Sequence, residues 1–318
     1  MSGVALRHRD VQPYLGTAFW GWRIATERCF ELLNAFYECG FRYVDTATNY
    51  PIDKQPEHFR LAESILQQWI RAHGVGDLRI CQKVGSLNNT GGPEHLLNPS
   101  FLLLNATYYR NKFGSNLHCL MWHWDKRRDE EAIAKSLEVA ADLVAEGIAA
   151  GFSGLEHPAI HASHWFEREV SLPEDRADDF SRPYLQLKHN LFQSAYSHYA
   201  PFHGRARFIA YGITAGGLKF GESRMETLRA RGGQPQKFRR HLDSLQQYLA
   251  KAFPQQTFTF HELGMIYASF LPGLSGLLLG ASNTAQLEHS LSFWQGRDRE
   301  HDRKIYEALL AWKKSEGL

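Results

Sequence analysis

The sequence predicts a closed (β/α)8 TIM barrel, an α/β fold in which parallel strands alternate with helices. Three observations carry that expectation. Short apolar, β-branched runs alternate from end to end with longer segments whose apolar residues return at helical spacing. Hairpin turn signals are nearly absent between them, which points to parallel strands covered on the outside by helices. Eight such units in 318 residues favour closure over an open doubly wound sheet.

The strands are expected at "YLGTAFW" 14–20, "FRYVDTA" 41–47, "LRICQKV" 78–84, "LHCLMWH" 117–123, "AAGFSGL" 149–155, "YLQLKHN" 184–190, "RFIAYGI" 207–213 and "GLLLGAS" 276–282. Helices are expected between them at about 26–39, 57–73, 99–113, 128–147, 158–169, 236–252 and 258–271, and a last pair at about 284–295 and 298–314 closes the chain. The first strand runs into "GTAFWG" rather than GxGxxG, so the open dinucleotide-binding fold lacks its usual marker. No Pro, Gly or Ser-rich linker divides the chain, and a single barrel domain over 1–318 is expected. Long loops fall near 85–98, 171–183 and 219–236; the first and third follow strands, on the face where barrels do chemistry.

Composition narrows the partner. The apolar fraction of 43% and charged fraction of 22% are those of a globular protein with material for a sizeable core. Thirty-six Lys and Arg against thirty-four Asp and Glu leave a formal charge of +2, too balanced for nucleic acid or an anionic membrane as main partner. A small molecule fits better. The four cysteines, Cys29, Cys39, Cys81 and Cys119, form no CxxC pair and read as reduced thiols. The opening "MSGVALRHRDVQPYLG" lacks the apolar run of a signal peptide, and no stretch approaches bilayer length, so a cytoplasmic location is expected. No feature specifies an oligomeric state.

Polar residues at the carboxyl ends of barrel strands point into the active face. Asp45 closes "FRYVD", Lys83 closes "RICQK", His123 closes "LHCLMWH", and Tyr50 lies just beyond Asp45. Each has a bland reading: an aspartate capping a turn, a lysine reaching solvent, a tyrosine filling a loop, a structural histidine. Their joint placement favours chemistry, because buried charges survive mainly when paired and Asp45 with Lys83 supplies a pair.

The stretches "GFRYVDTATNYP", "CQKVG" and "LMWHWD" resemble the signatures of the aldo-keto reductases, (β/α)8 oxidoreductases that use NADPH or NADH. The likeness runs from "LGTAFWG" to "LLLGASNTAQLEHSL" at 277–291. It implies reversible reduction of an aldehyde, ketone or sugar by hydride transfer, with a tetrad of Asp45, Tyr50, Lys83 and His123. Tyr50 would donate the proton, Lys83 would favour the phenolate, Asp45 would keep the ammonium charged and in place, and His123 would direct the carbonyl oxygen. The resemblance further implies cofactor contacts from Gly16, Thr17 and Asp45 at the nicotinamide end, with Ser153 and Gln186 on the carboxamide and Tyr211 stacked on the ring. Gly212, Ile213, Gly217 and Leu218 of "GITAGGL" would cradle the pyrophosphate, and Gly280, Ser282 and Gln286 would lie towards the adenosine phosphate. Gly154 departs from the pattern where an asparagine is usual, as do Ile213 for proline, Glu222 for lysine beside Lys219, and His289 and Ser290 for Glu and Asn. NADPH is favoured over NADH through Ser282 and Gln286, with Arg224, Arg229 and Arg231 in reach of a 2′-phosphate.

Trp20, Trp22 and Trp124 are expected as aromatic walls for the substrate, and Asn88, Asn89 and His95 as polar selectors. Two other readings compete. A nicotinamide-binding regulatory or partner-binding barrel would keep the fold with little turnover. A metal-dependent hydrolase is suggested by His118, His123 and Asp125, but strand alternation sets His118 on the face opposite His123, and no HxH pair completes a shell, so no metal is expected.

Overall fold

The computed structural model describes residues 11–167, 182–221 and 235–318. Most of the 171–183 and 219–236 loops, with Glu222, Arg224, Arg229 and Arg231, lies outside the described residues. The eight strands are β1 (Gln12–Gly16), β2 (Tyr43–Ala47), β3 (Arg79–Val84), β4 (Leu117–His123), β5 (Ala149–Ser153), β6 (Tyr184–Lys188), β7 (Arg207–Tyr211) and β8 (Leu274–Leu279). Each pairs in parallel with its successor and β8 returns to β1, closing the barrel.

The described helices are α1 (Thr26–Glu38), α2 (Leu61–His73), α3 (Pro99–Phe113), α4 (Glu130–Ala145), α5 (Pro158–Phe166), α6 (Pro235–Ala252), α7 (Phe260–Ser269), α8 (Thr284–Gln295) and α9 (Arg299–Glu316). Several ends differ from expectation, among them those of β5 to β8 and α5, which stop two or three residues early, and at two boundaries the local reason is plain. β1 ends at Gly16 because Thr17 turns its hydroxyl back to the Asp45 carbonyl at 3.0 Å, and Trp20 N bonds the Thr17 carbonyl at 3.0 Å, winding the chain off the sheet. α2 begins at Leu61 rather than 57 because Pro56–His58 form a separate 3-10 turn and Arg60 takes a left-handed φ of 68°.

Side-chain caps set where the loops leave the helices: Asn98, Asp129 and Asn283 accept from the third amide beyond them, and Thr259 with Glu262 forms a reciprocal box. The barrel is filled by side chains. An added Cβ at Gly151 would lie 2.5 Å from Met121 Cγ, and one at Gly276 would lie 2.4 Å from the Tyr14 ring, so these glycines make room for large neighbours across the interior. A second apolar cluster joins α6, α7 and α9 through Leu245, Leu263, Leu309 and Trp312 and includes Ala215 and Leu218, which anchors the loop after β7. All four cysteines are free thiols. Among the described residues, no helix is long and apolar enough to cross a membrane.

Candidate active site

The carboxyl ends of β2, β3 and β4 bring four of the expected residues together. Asp45 is fully buried and accepts from the Lys83 ammonium on one oxygen and from the Gln186 amide on the other. Lys83 is itself 1% exposed, so its charge is held by a partner rather than by water. Its Nζ sits 4.9 Å from the centre of the Tyr50 ring. His123 is buried beside them and stacks on Trp124 with ring centres 4.2 Å apart, while its Nδ1 has no hydrogen-bond partner among the described residues.

Burial alone would lower the Lys83 pKa, but Asp45 and then Tyr50 more than reverse this, and the ammonium is held above its ordinary value. For Tyr50 the balance differs from the expectation of a phenol pushed towards phenolate. Burial raises its pKa most, Asp45 adds to the rise, and the Lys83 charge and hydrogen bond only partly oppose it. The phenol therefore keeps its proton at neutral pH. Burial, then the Lys83 and His95 charges, hold His123 well below its usual value, as a neutral imidazole.

A cavity of about 670 Å³ opens over this group. Its wall includes Tyr50, Lys83 and His123, and also Gly16, Ser153, Gln186, Tyr211, Gly212, Ile213 and Gly280. Thr17, Gly217, Leu218, Ser282 and Gln286 do not form the wall. Thr17 is consumed by its bond to β2, Leu218 is buried in the second cluster, and Ser282 donates to the Gln286 side chain at 2.9 Å at the start of α8. His289 bonds Glu262 at 3.1 Å and Ser290 bonds His261 at 2.8 Å.

Of the three tryptophans expected to line the mouth, Trp124 does. Trp20 does not, because it is fully enclosed in the core; neighbouring Phe19 takes the wall instead. Trp22 is exposed but packs on Phe19 and under Arg23, outside the wall. Asn88 and Asn89 line the cavity, and His95 does not. Trp124 also explains one departure from the family pattern: at Gly154, with φ of 75°, an added Cβ would lie 2.4 Å from Trp124 Cδ1, so the indole occupies the space an asparagine would need. Behind Trp124, Asp125 is buried and bonded by Arg127 at 2.6 Å and His161 at 2.9 Å, which fixes the loop.

His118 is also placed differently from expectation. A register shift between Ile80 and Cys81 lets it turn inward at the amino end of β4, where it bonds the Tyr184 hydroxyl at 3.1 Å. It is thus separated from His123 by the length of the strand rather than by the sheet.

Sequence reasoning passed over Lys54, Lys188, Asn190 and His261, all in the wall. Lys188 carried a usable signal: it stands two residues after Gln186 and therefore on the same inward face. Its stem lies against Gly212, opening a loop with positive φ at Gly212, Ala215, Gly216 and Gly217. Among the described residues, the amides of Ile213, Thr214 and Gly216 donate to no protein acceptor. Free amides in such turns with a nearby ammonium form a concave anion site, and that donor set suits a pyrophosphate.

A parallel barrel whose strand ends gather a held ammonium, a phenol and an imidazole has the parts of a proton-transferring enzyme. The sequence model described as the Aldo/keto reductase family matches residues 14–303, and the chain belongs to that family of carbonyl-reducing oxidoreductases, whose members generally use nicotinamide cofactors. No curated protein matches the sequence significantly. Among solved structures it is similar to the aldo-keto reductase AKR11C1 from Bacillus halodurans in its holo form, with a TM-score of 0.64 and 15% identity over 93% of this chain and 91% of that one. At that identity the likeness speaks to the fold.

Proposed function

We propose that this chain is a single-domain, cytoplasmic, NADPH-dependent reductase of small carbonyl compounds, with Tyr50 as proton donor. The observation that carries the reading is the chain of contacts from Asp45 through Lys83 to Tyr50, with His123 alongside in one cavity wall. The bound nicotinamide would supply the hydride, which no side chain can. Ser153 and Gln186 would hold its carboxamide, Tyr211 its ring, and the loop at 212–218 with Lys188 its pyrophosphate. Neutral His123 would bond the carbonyl oxygen and turn it towards Tyr50. Tyr50, protonated at neutral pH, would give its proton to that oxygen, and the Lys83 ammonium would stabilise the phenolate left behind. Oxidation of the alcohol needs the phenolate at the start, so it should gain on reduction as pH rises. Ser282 and Gln286 at the start of α8 support NADPH over NADH, since a helix amino terminus suits a phosphate, which would take the Ser282 hydroxyl from the Gln286 side chain it now bonds.

The test is NADPH oxidation against a panel of aldehydes, beside titrations of NADPH and NADH followed by tryptophan quenching. Tyr50→Phe should abolish turnover while leaving NADPH affinity nearly unchanged. Loss of both together would make the tyrosine structural and defeat the mechanism. Tight binding of cofactor with negligible rates on every aldehyde would favour the regulatory barrel.

A further inference from the structure

We infer that the substrate carries an anionic group, a carboxylate or a phosphate, remote from its carbonyl, and that Lys54 binds it. This rests on the reductase reading above and specifies its substrate. Lys54 lies four residues past Tyr50, on the loop after β2, and lines the cavity with an exposed side chain. Among the described residues it makes no ion pair or hydrogen bond. Its neighbour Asp53 is the obvious partner but is tied elsewhere: the carboxylate is 1% exposed, paired with His58 and bonded by Asn89 at 3.2 Å.

Space is kept for the lysine. At Gly91, on the loop after β3 and directly beside the lysine, an added Cβ would lie 3.3 Å from Lys54 Cε and 3.7 Å from Nζ, so a side chain there would press on the lysine. Among the described residues, the cavity wall carries no aspartate or glutamate. An unpaired ammonium at the edge of a carboxylate-free cavity attracts and orients anions.

The barrel order places this charge on the substrate side. Lys54 and Gly91 follow β2 and β3, while Lys188 and the glycine-rich loop follow β6 and β7, on the far side of the ring of eight strands. Tyr50 and Lys83 share β2 and β3 with Lys54 and Gly91, and His123 closes β4, so a carbonyl held at Tyr50 lies on the Lys54 side of the barrel mouth, away from the glycine-rich loop.

The experiment compares kcat/KM within two matched pairs, 4-carboxybenzaldehyde with benzaldehyde and glyceraldehyde 3-phosphate with glyceraldehyde, in the wild type and in Lys54→Gln, Lys54→Arg and Lys54→Glu. In the wild type at least one charged member should be favoured by about tenfold or more, as one charge-assisted contact supplies. Whichever pair shows the preference identifies carboxylate or phosphate. The ratio should fall towards one in Lys54→Gln, survive in Lys54→Arg, and invert in Lys54→Glu. In the wild type alone it should shrink as salt rises from about 0.01 to about 1 M, a range that shortens the screening length tenfold. A wild-type ratio near one in both pairs, or a ratio unchanged in Lys54→Gln, overturns the inference while leaving the reductase reading standing. No turnover of any of the four aldehydes, with NADPH still bound, overturns both.

Discussion

Replacing Asp45 with asparagine tests the electrostatics at the centre of the site. The side chains of Lys83 and Asp45 are 2% and 1% exposed, so neither charge has water to fall back on. Breaking a buried pair by removing one partner costs about 3–5 kcal/mol, because the survivor is left uncompensated. Spread over 318 residues, with an unfolding entropy of about 2.1 cal/mol/K per residue, this corresponds to a melting-temperature drop of about 4–8 °C. Lys83→Met should cost a similar amount, since it leaves the carboxylate with Gln186 alone. The double variant removes both charges and should be no worse than the more damaging single variant, giving a coupling of several kcal/mol. Calorimetry on the four proteins measures the cycle. Additive losses, or an Asp45→Asn protein that melts with the wild type, would refute the argument that each charge is buried on the strength of the other.

Acid should destabilise the protein before its carboxylates titrate. Burial, then Lys313, holds His189 at about 4, and burial, then His289, holds His261 at about 4. Both fold as neutral imidazoles with pKa values below the unfolded value of about 6.5, so their contribution is full above that pH and is lost as pH falls towards 4, by about 3 kcal/mol each. Denaturant midpoints measured across this window should fall, and less so in His261→Gln; a flat profile contradicts the assignment. At Gly154, alanine should displace Trp124 and lower stability by about 1–3 kcal/mol, through overpacking and a strained positive φ. Adding Trp124→Ala should recover the overpacking part, which thermal melts of the two variants would show.

The barrel was legible because its signal is repeated. Eight apolar runs and the helical periods between them each carry independent evidence, and β4 at Leu117–His123 matches its expected span. The residues at strand ends were legible for the same reason: once a strand is placed, its last inward residue is placed too. What failed was on loops, where sequence distance does not fix direction. Trp20 and Phe19 are adjacent and either could face the cavity; the turn begun by Thr17 sends the indole into the core. His118 was misplaced by a single register shift, which strict alternation does not anticipate. Lys54 went unnoticed because its importance lies in a missing partner, and only the structure shows Asp53 spent on His58 and Asn89.

Burial acts differently on the three titrating groups, and this difference decides the protonation states from which the proposed reaction starts. It keeps the proton on Tyr50 and removes it from His123, while Asp45 overrides it at Lys83. At neutral pH the cluster then holds one acidic proton, one neutral imidazole and an ion pair whose charges cancel at a distance. Nearby they do not cancel, because the ammonium end of the pair faces the phenol and the carboxylate end faces Gln186. A carbonyl oxygen gaining negative charge beside Tyr50 therefore meets a proton and, behind it, a positive charge that required no reorganisation to arrive. A Lys83 without Asp45 would be drawn towards the neutral amine by its burial, and the phenolate formed after proton transfer would lose its counter-charge. In the proposed mechanism the aspartate would act on the substrate only through the lysine it keeps charged, and Asp45→Asn should lower kcat more than it raises KM.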